Sequence, residues 1–169
     1  DGERVLAMPA AQDHKRVYDG DSGPNTGGMG AYSPAPHLPA GIVQETLDKV
    51  LGPAVAGMAE QGTPYRGLLY AGLILTPKGL KVIEFNCRFG DPETQVILPR
   101  LKDDLLILMM ESVGTGLKRE RLNFSDDASV CVVAASGGYP GPYESGHPIR
   151  GLQDETGGTH VFHAGTALK

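Results

Sequence analysis

Residues 84–93 read Glu-Phe-Asn-Cys-Arg-Phe-Gly-Asp-Pro-Glu, which sets acids, an amide and a guanidinium at the end of an otherwise apolar run. Glu84 and Asn86 are two positions apart. On a β-strand such residues share a face, so a carboxylate and an amide oxygen would stand about 7 Å apart along the chain. Hard oxygen ligands of this kind suit Mg²⁺, which keeps several waters and takes only one or two protein carboxylates when it arrives with substrate phosphates. Arg88 follows, and its planar fork can hold phosphoryl oxygens through two parallel bonds. The same residues would also serve as a solvated strand edge, because Glu-x-Asn is a short motif.

The elements that must position these groups are legible on either side. Residues 67–75 are apolar, residues 76–79 (Thr-Pro-Lys-Gly) form a turn signal, and residues 80–86 alternate, which is the pattern of a β-hairpin. Alternation puts Val82, Glu84 and Asn86 on one face, and Lys81, Ile83 and Phe85 on the other, with Ile83 and Phe85 expected in the core. Downstream, Asp91 stands where an N-cap belongs and Pro92 at the first helical position. Asp91 therefore either caps a helix or accepts from a substrate amine or ribose hydroxyls, and its two oxygens suffice for both.

A second polar cluster lies near the start. Residues 12–16 are Gln-Asp-His-Lys-Arg, in which Lys15 and Arg16 are either a solvated pair or include one phosphate-facing cation, and His14 is expected as a loop histidine with a hydrogen-bonded ring. Residues 19–30 are dense in glycine. Gly27, Gly28 and Gly30 permit close backbone approach, and their N–H groups could turn inward as an anion-binding nest, with Asn25 and Thr26 adding side-chain donors. That suits a phosphate or a substrate carboxylate. Neither Gly-Lys-Ser/Thr nor GxGxxG is present, so the loop is not one of the common nucleotide motifs.

The rest of the chain is read as scaffold. Residues 5–8 resemble the end of a strand stopped by Pro9. Apolar positions 42, 43, 47, 50, 51, 54, 55 and 58 recur at helical period, and Pro53 predicts a kink or the start of a second helix. Asp103 and Asp104 open a helix over 103–111, where their charge complements the helix dipole. The polar stretch 114–127 is the best domain boundary, residues 128–135 read as a buried strand, and residues 137–142 as a tight loop. His160 and His163, three apart in a strand-like run, would face opposite sides and share no metal.

Composition narrows the class of function. A net charge of −5 with no cationic run longer than Lys15-Arg16 or Lys118-Arg119 leaves no footprint for nucleic acid. No apolar run approaches the roughly 20 residues of a membrane span, so no membrane partner is expected. Cys87 and Cys131 lie in apolar strand patterns without metal spacing, which predicts reduced core thiols of a cytosolic protein. The 24 glycines and 13 prolines follow no repeat, so the chain is loop-rich and not fibrous.

The strings EFNCRFGDPE (84–93), QDHKR (12–16), GPNTGGMGAYSPAP (23–36), GTPYRGLLYAGLILT (62–76), SGGYPGPY (136–143) and VFHAGTALK (161–169) together resemble the glycinamide ribonucleotide synthetase family, the phosphoribosylamine-glycine ligases. The resemblance covers nearly the whole chain. It implies an α+β fold: residues 1–122 as the C-terminal part of an ATP-grasp domain, an antiparallel sheet with packed helices, and residues 123–169 as the start of a smaller β-rich C-terminal domain. It makes Glu84 and Asn86 the ligands of Mg²⁺ or Mn²⁺, Arg88 a catalytic cation, and the glycine-rich loop a cover of the active site. ATP is then co-substrate, glycine and 5-phosphoribosylamine are the partners, and the location is cytoplasmic. The nucleotide-holding lysines and acids of the family lie upstream of the position matching Asp1, so the chain is expected to be a C-terminal-side fragment, inactive without the missing N-terminal portion. The rival readings are a phosphate- or nucleotide-binding module without turnover, and an interaction fragment without a ligand.

Overall fold

The structure, a computed structural model, describes residues 1–152 and 157–168. Lys169, the last residue of the run 161–169, lies outside the described residues. The architecture is mixed α/β with antiparallel sheets. Strands β1 (Gln12–Asp13), β4 (Gly30–Ser33) and β7 (Ser129–Val132) form a three-stranded sheet in the order β1-β4-β7. β2 (Arg16–Tyr18) and β3 (Ser22–Asn25) form a small hairpin between them in sequence. β5 (Tyr70–Thr76) and β6 (Gly79–Asn86) form the longer hairpin read from the sequence.

That longer hairpin departs from simple alternation at one point. Gly72 pairs with Glu84 and Leu73 with Val82, so Ile83 is the extra residue of a β-bulge. Ile83 and Phe85 are 66% and 45% exposed, so neither lies in the core as the sequence suggested. The face they would bury is uncovered here, together with Ile74, Leu75 and Val82.

The helical period over 42–58 forms one continuous element. α1 (Ile42–Thr46) passes into a π-turn (Leu47–Leu51) and then α2 (Gly52–Glu60), with Pro53 in the first turn of α2. The π-turn shifts the ladder by one residue, seen where Gly52 N–H donates to Leu47 O. A π-bulge ahead of a proline relieves the clash of its ring with the preceding turn, so the helix neither stops nor restarts. Only Val55 of this stretch is fully buried, and Met58 is 39% exposed.

α3 (Thr94–Ile97) and a short 3₁₀ turn (Leu98–Arg100) follow the hairpin, then α4 (Leu105–Met110) continued by a second π-turn (Glu111–Thr115). Asp104 caps α4 by accepting from Ile107 N–H at 3.1 Å. Arg100 is buried and acts as a clamp. Its guanidinium donates to Asp127 O at 2.7 Å, Ser33 Oγ at 2.7 Å and Ser125 O at 3.0 Å. Ser33 Oγ in turn donates to Ala10 O, so one cation joins β4, the segment before β1 and the segment before β7.

Several short expectations are corrected. Residues 5–8 form no strand, because the first ladder begins only at Gln12. β7 is an edge strand with Val130 and Val132 mostly exposed, since the sheet gives it a neighbour on one side only. Cys87 is exposed and not a core thiol, while Cys131 is half-buried. Described residues 133–168 form no strand, and His163 Nδ1 instead lies 3.1 Å from Thr166 Oγ1 in a local turn.

Candidate active site

The site is assembled where β6, the turn after it and the glycine-rich loop meet. Glu84 and Asn86 point the same way, since Asn86 Nδ2 donates to Glu84 Oε1 at 3.1 Å. This bond leaves the amide oxygen of Asn86 and the second oxygen of Glu84 for another partner. Gly72 lies opposite Glu84, and a side chain there would meet Glu84 Cγ at 2.9 Å. A small residue is therefore needed for the carboxylate to lie across the sheet.

Lys15 comes up beside this pair from β1's exit. Its ammonium lies 2.5 Å from Asp13 Oδ2 and donates to Gly27 O at 3.2 Å. Burial alone would lower its pKa, but the hydrogen bond and charge of Asp13, with the nearby carboxylates of Glu93 and Glu84, raise it above the ordinary lysine value. Lys15 thus stays protonated between the loop and the Glu84 strand. Arg16, by contrast, is committed to the small hairpin, where it donates to Gly23 O.

The glycine-rich loop differs from an open nest. The N–H groups of Thr26, Gly27, Gly28 and Met29 already donate to Lys15 O, Tyr139 Oη, Thr26 Oγ1 and His14 O. What the loop presents to a ligand is side chains, chiefly Asn25, which is exposed at the end of β3. Gly28 packs directly against the Pro92 ring, and any side chain at 28 would collide with it. Gly30 starts β4 opposite Val132. His14 places its ring against Tyr32, with centroids 5.5 Å apart, and the ring makes no hydrogen bond among the described residues.

Asp91 is not the helix cap. Glu93 is the N-cap residue of α3, and Thr94 bonds back to Gly90 O through both its N–H and its hydroxyl, while Asp91 Oδ1 accepts from Gln95 Nε2 at 2.7 Å. Its side chain is exposed and still has a second oxygen to offer. Arg88 is exposed at the strand exit and donates to Phe89 O.

Three site residues were not singled out from the sequence: Asp13, Tyr70 and Glu93. Glu93 is buried, and Tyr70 Oη donates to its Oε1 at 2.8 Å. Burial, then the Glu93 bond and charge, push the Tyr70 hydroxyl well above its usual pKa. Asp13 was within reach, because it is two residues from Lys15. The donor set fits a small hard cation only thinly, since Asp13 is held by Lys15 and Glu93 by Tyr70. Among the described residues there is no cluster of three or more metal-ligating side chains. A bound Mg²⁺ would rely on water and phosphate oxygens for the rest of its shell.

Comparison with known proteins gives this arrangement a class and then a family. Residues 1–94 match the model of the phosphoribosylglycinamide synthetase ATP-grasp (A) domain, so this is part of an ATP-grasp protein. Residues 129–169 match the C domain of the same synthetase. The chain belongs to the phosphoribosylglycinamide synthetase family. It is 53% identical over 169 residues to a phosphoribosylamine-glycine ligase of Rhizobium meliloti, covering 100% of this chain and 40% of the relative. It is also 54% identical over 171 residues to the trifunctional purine biosynthetic protein adenosine-3 of Gallus gallus, covering 100% of this chain and 17% of that protein. The crystal structure of phosphoribosylamine-glycine ligase from Thermotoga maritima superposes with a TM-score of 0.74 at 35% identity, covering 85% of this chain and 36% of that one. The chain therefore spans about 40% of the length of the bacterial ligase it matches.

Proposed function

We propose that this chain is the metal- and substrate-binding side of an ATP-dependent phosphoribosylamine-glycine ligase, with residues 1–122 completing an ATP-grasp domain and residues 123–169 opening the next domain. The observation that carries the reading is that Lys15, bonded to Gly27 O, lies near the Glu84 carboxylate, which accepts from Asn86. In this reading a carboxylate oxygen of glycine attacks the γ-phosphorus of ATP and ADP leaves, giving glycyl phosphate. The amine of 5-phosphoribosylamine then attacks the carbonyl carbon, and inorganic phosphate leaves as glycinamide ribonucleotide forms. No protein nucleophile is needed, so the work is positioning and charge stabilisation.

Glu84 and Asn86 would hold Mg²⁺ or Mn²⁺, which supplies positive charge to the phosphate oxygens. Lys15 is taken as the phosphate-facing cation of the Lys15-Arg16 pair because it lies near the Glu84 carboxylate, whereas Arg16 bonds within the small hairpin. Arg88, exposed and bonded to Phe89 O, has further N–H donors with which it counters charge on the transferred group. Asp91, with one oxygen spare, accepts from the amine substrate. Asn25, Thr26, Gly27, Gly28 and Gly30 shape the loop over it. The uncovered faces of the β5–β6 hairpin and of α4, where Leu106 and Met110 are 65% and 63% exposed, support further chain of the same enzyme packing there. A cytoplasmic location goes with purine synthesis. No helix among the described residues is long and apolar enough to cross a membrane.

The rival is a module that binds phosphate or nucleotide without turnover. Release of ADP that requires both glycine and phosphoribosylamine, measured on the intact polypeptide carrying this segment, separates the two. ADP release indifferent to either substrate would overturn the ligase reading.

A further inference from the structure

The loop at 136–143 crosses over the glycine-rich loop and brings one polar atom to it. Tyr139 Oη accepts from Gly27 N–H at 3.3 Å, and the Tyr143 ring meets the Tyr139 ring edge-on with centroids 6.1 Å apart. The loop is held by its own bonds: Tyr139 N–H to Ser136 O at 3.2 Å and Gly141 N–H to Gly138 O at 2.8 Å. Gly138 sits at φ 101°, where a side chain would also strike Pro142 O. The Tyr139 backbone is thus set by a locally determined turn.

A phenol both accepts and donates. The accepting side of Tyr139 Oη is used by Gly27, and its own proton has no acceptor among the described residues. Buried or half-buried tyrosines ordinarily find one. The other face of the same residue, Gly27 O, receives the Lys15 ammonium. Tyr139 and Lys15 therefore bond the two ends of a single glycine, its N–H and its carbonyl, and the Glu84 carboxylate lies near Lys15. The exposed Asn25 side chain, two residues from Gly27, makes no hydrogen bond among the described residues.

We infer that Tyr139 is a substrate-binding residue, its O–H donating to a phosphate or hydroxyl oxygen of the phosphorylated ribose substrate, so that the two loops form opposite walls of one sugar-phosphate subsite. The inference rests on the ligase reading above. Of the three substrates, the phosphoryl donor must meet the Glu84 and Asn86 end, and glycine must lie between it and the amine. That leaves the amine substrate, whose phosphate and ribose hydroxyl oxygens can each accept from the Tyr139 O–H beside the glycine-rich loop.

The test uses the intact polypeptide and Tyr139→Phe, which keeps the ring and removes only the hydroxyl. Ribose 5-phosphate is a stable probe, and its affinity by calorimetry is expected to fall about tenfold, the loss of one hydrogen bond to a charged group. The KM for phosphoribosylamine should rise in step, with those for ATP and glycine within about twofold, the margin left for a surface change. Tyr143→Phe should leave all of them unchanged. Unaltered ribose 5-phosphate affinity in Tyr139→Phe, or an equal rise in all three KM values with a lower melting temperature, would reduce Tyr139 to packing and overturn the inference while the ligase reading stands. A wild-type polypeptide that releases no ADP would remove the ligase reading, and this inference with it.

Discussion

Tyr70 and Glu93 are joined by a 2.8 Å hydrogen bond that ties β5 to the N-cap of α3. Tyr70 is also the cross-strand partner of Asn86, so the bond sets the end of the hairpin from which Glu84 and Asn86 project. Replacing Tyr70 with Phe leaves a buried carboxylate oxygen without its donor. We expect a loss of about 1–2 kcal/mol of stability in urea unfolding and a raised metal requirement for turnover. A Tyr70→Phe enzyme with wild-type stability and metal dependence would show the bond to be incidental.

Glu84→Gln preserves shape and removes the charge. Glu84 sits on a solvent-facing strand, so stability should change by no more than about 0.5 kcal/mol, whereas turnover of the intact enzyme should fall about 10²-fold or more. Isothermal titration with Mn²⁺ in the presence of a non-hydrolysable nucleotide should show weakened binding. Unchanged turnover at saturating magnesium would remove Glu84 from the site.

Arg88→Lys tests geometry against charge. An ammonium keeps the positive charge but not the planar fork, so kcat should fall with little change in the KM for glycine. Wild-type kinetics would leave Arg88 only its bond to Phe89 O.

The acid side of stability depends on Asp103. The Asn123 backbone N–H, then the Asn123 side chain and Arg119, hold its pKa below the ordinary aspartate value. A depressed acid adds stability that is complete above the unfolded-state pKa and is lost as pH falls through the folded one. Asp103→Asn should therefore lower the melting temperature at pH 7, with the gap to wild type closing below about pH 4, the unperturbed aspartate range. An equal gap at all pH values would contradict the assignment.

How far the sequence could be read depended on how local each feature was. The hairpin over 70–86, the shared direction of Glu84 and Asn86, and the Asp104 cap all follow from neighbours within a few residues. The β1-β4-β7 sheet did not, because its strands of two to four residues carry no periodic signal and β4 pairs with β7 across about a hundred residues of chain. Glu93 is illegible for the same reason, as its role arises from a contact with Tyr70 made in space, whereas the Asp13–Lys15 pair is local and could be read from spacing. Strand alternation predicts Ile83 and Phe85 in the core, but both are exposed, because a bulge at Ile83 interrupts the alternation and their face is left uncovered among the described residues. The loop at 26–29 had the composition of a nest, yet its N–H groups are consumed by Lys15, Tyr139, Thr26 and His14.

The central proposal is that this chain holds the metal and substrate side of the ligase and not the nucleotide side. Its most direct test is ADP formation from ATP, magnesium, glycine and phosphoribosylamine by the 169-residue chain alone, repeated after adding, as a separate polypeptide, the N-terminal part of a matched bacterial ligase that this chain does not span. The expected result is no turnover alone and glycine-dependent turnover on mixing, because Mg²⁺ held by one carboxylate and one amide relies on nucleotide phosphates to complete its shell. Turnover by the chain alone would contradict this division of the site.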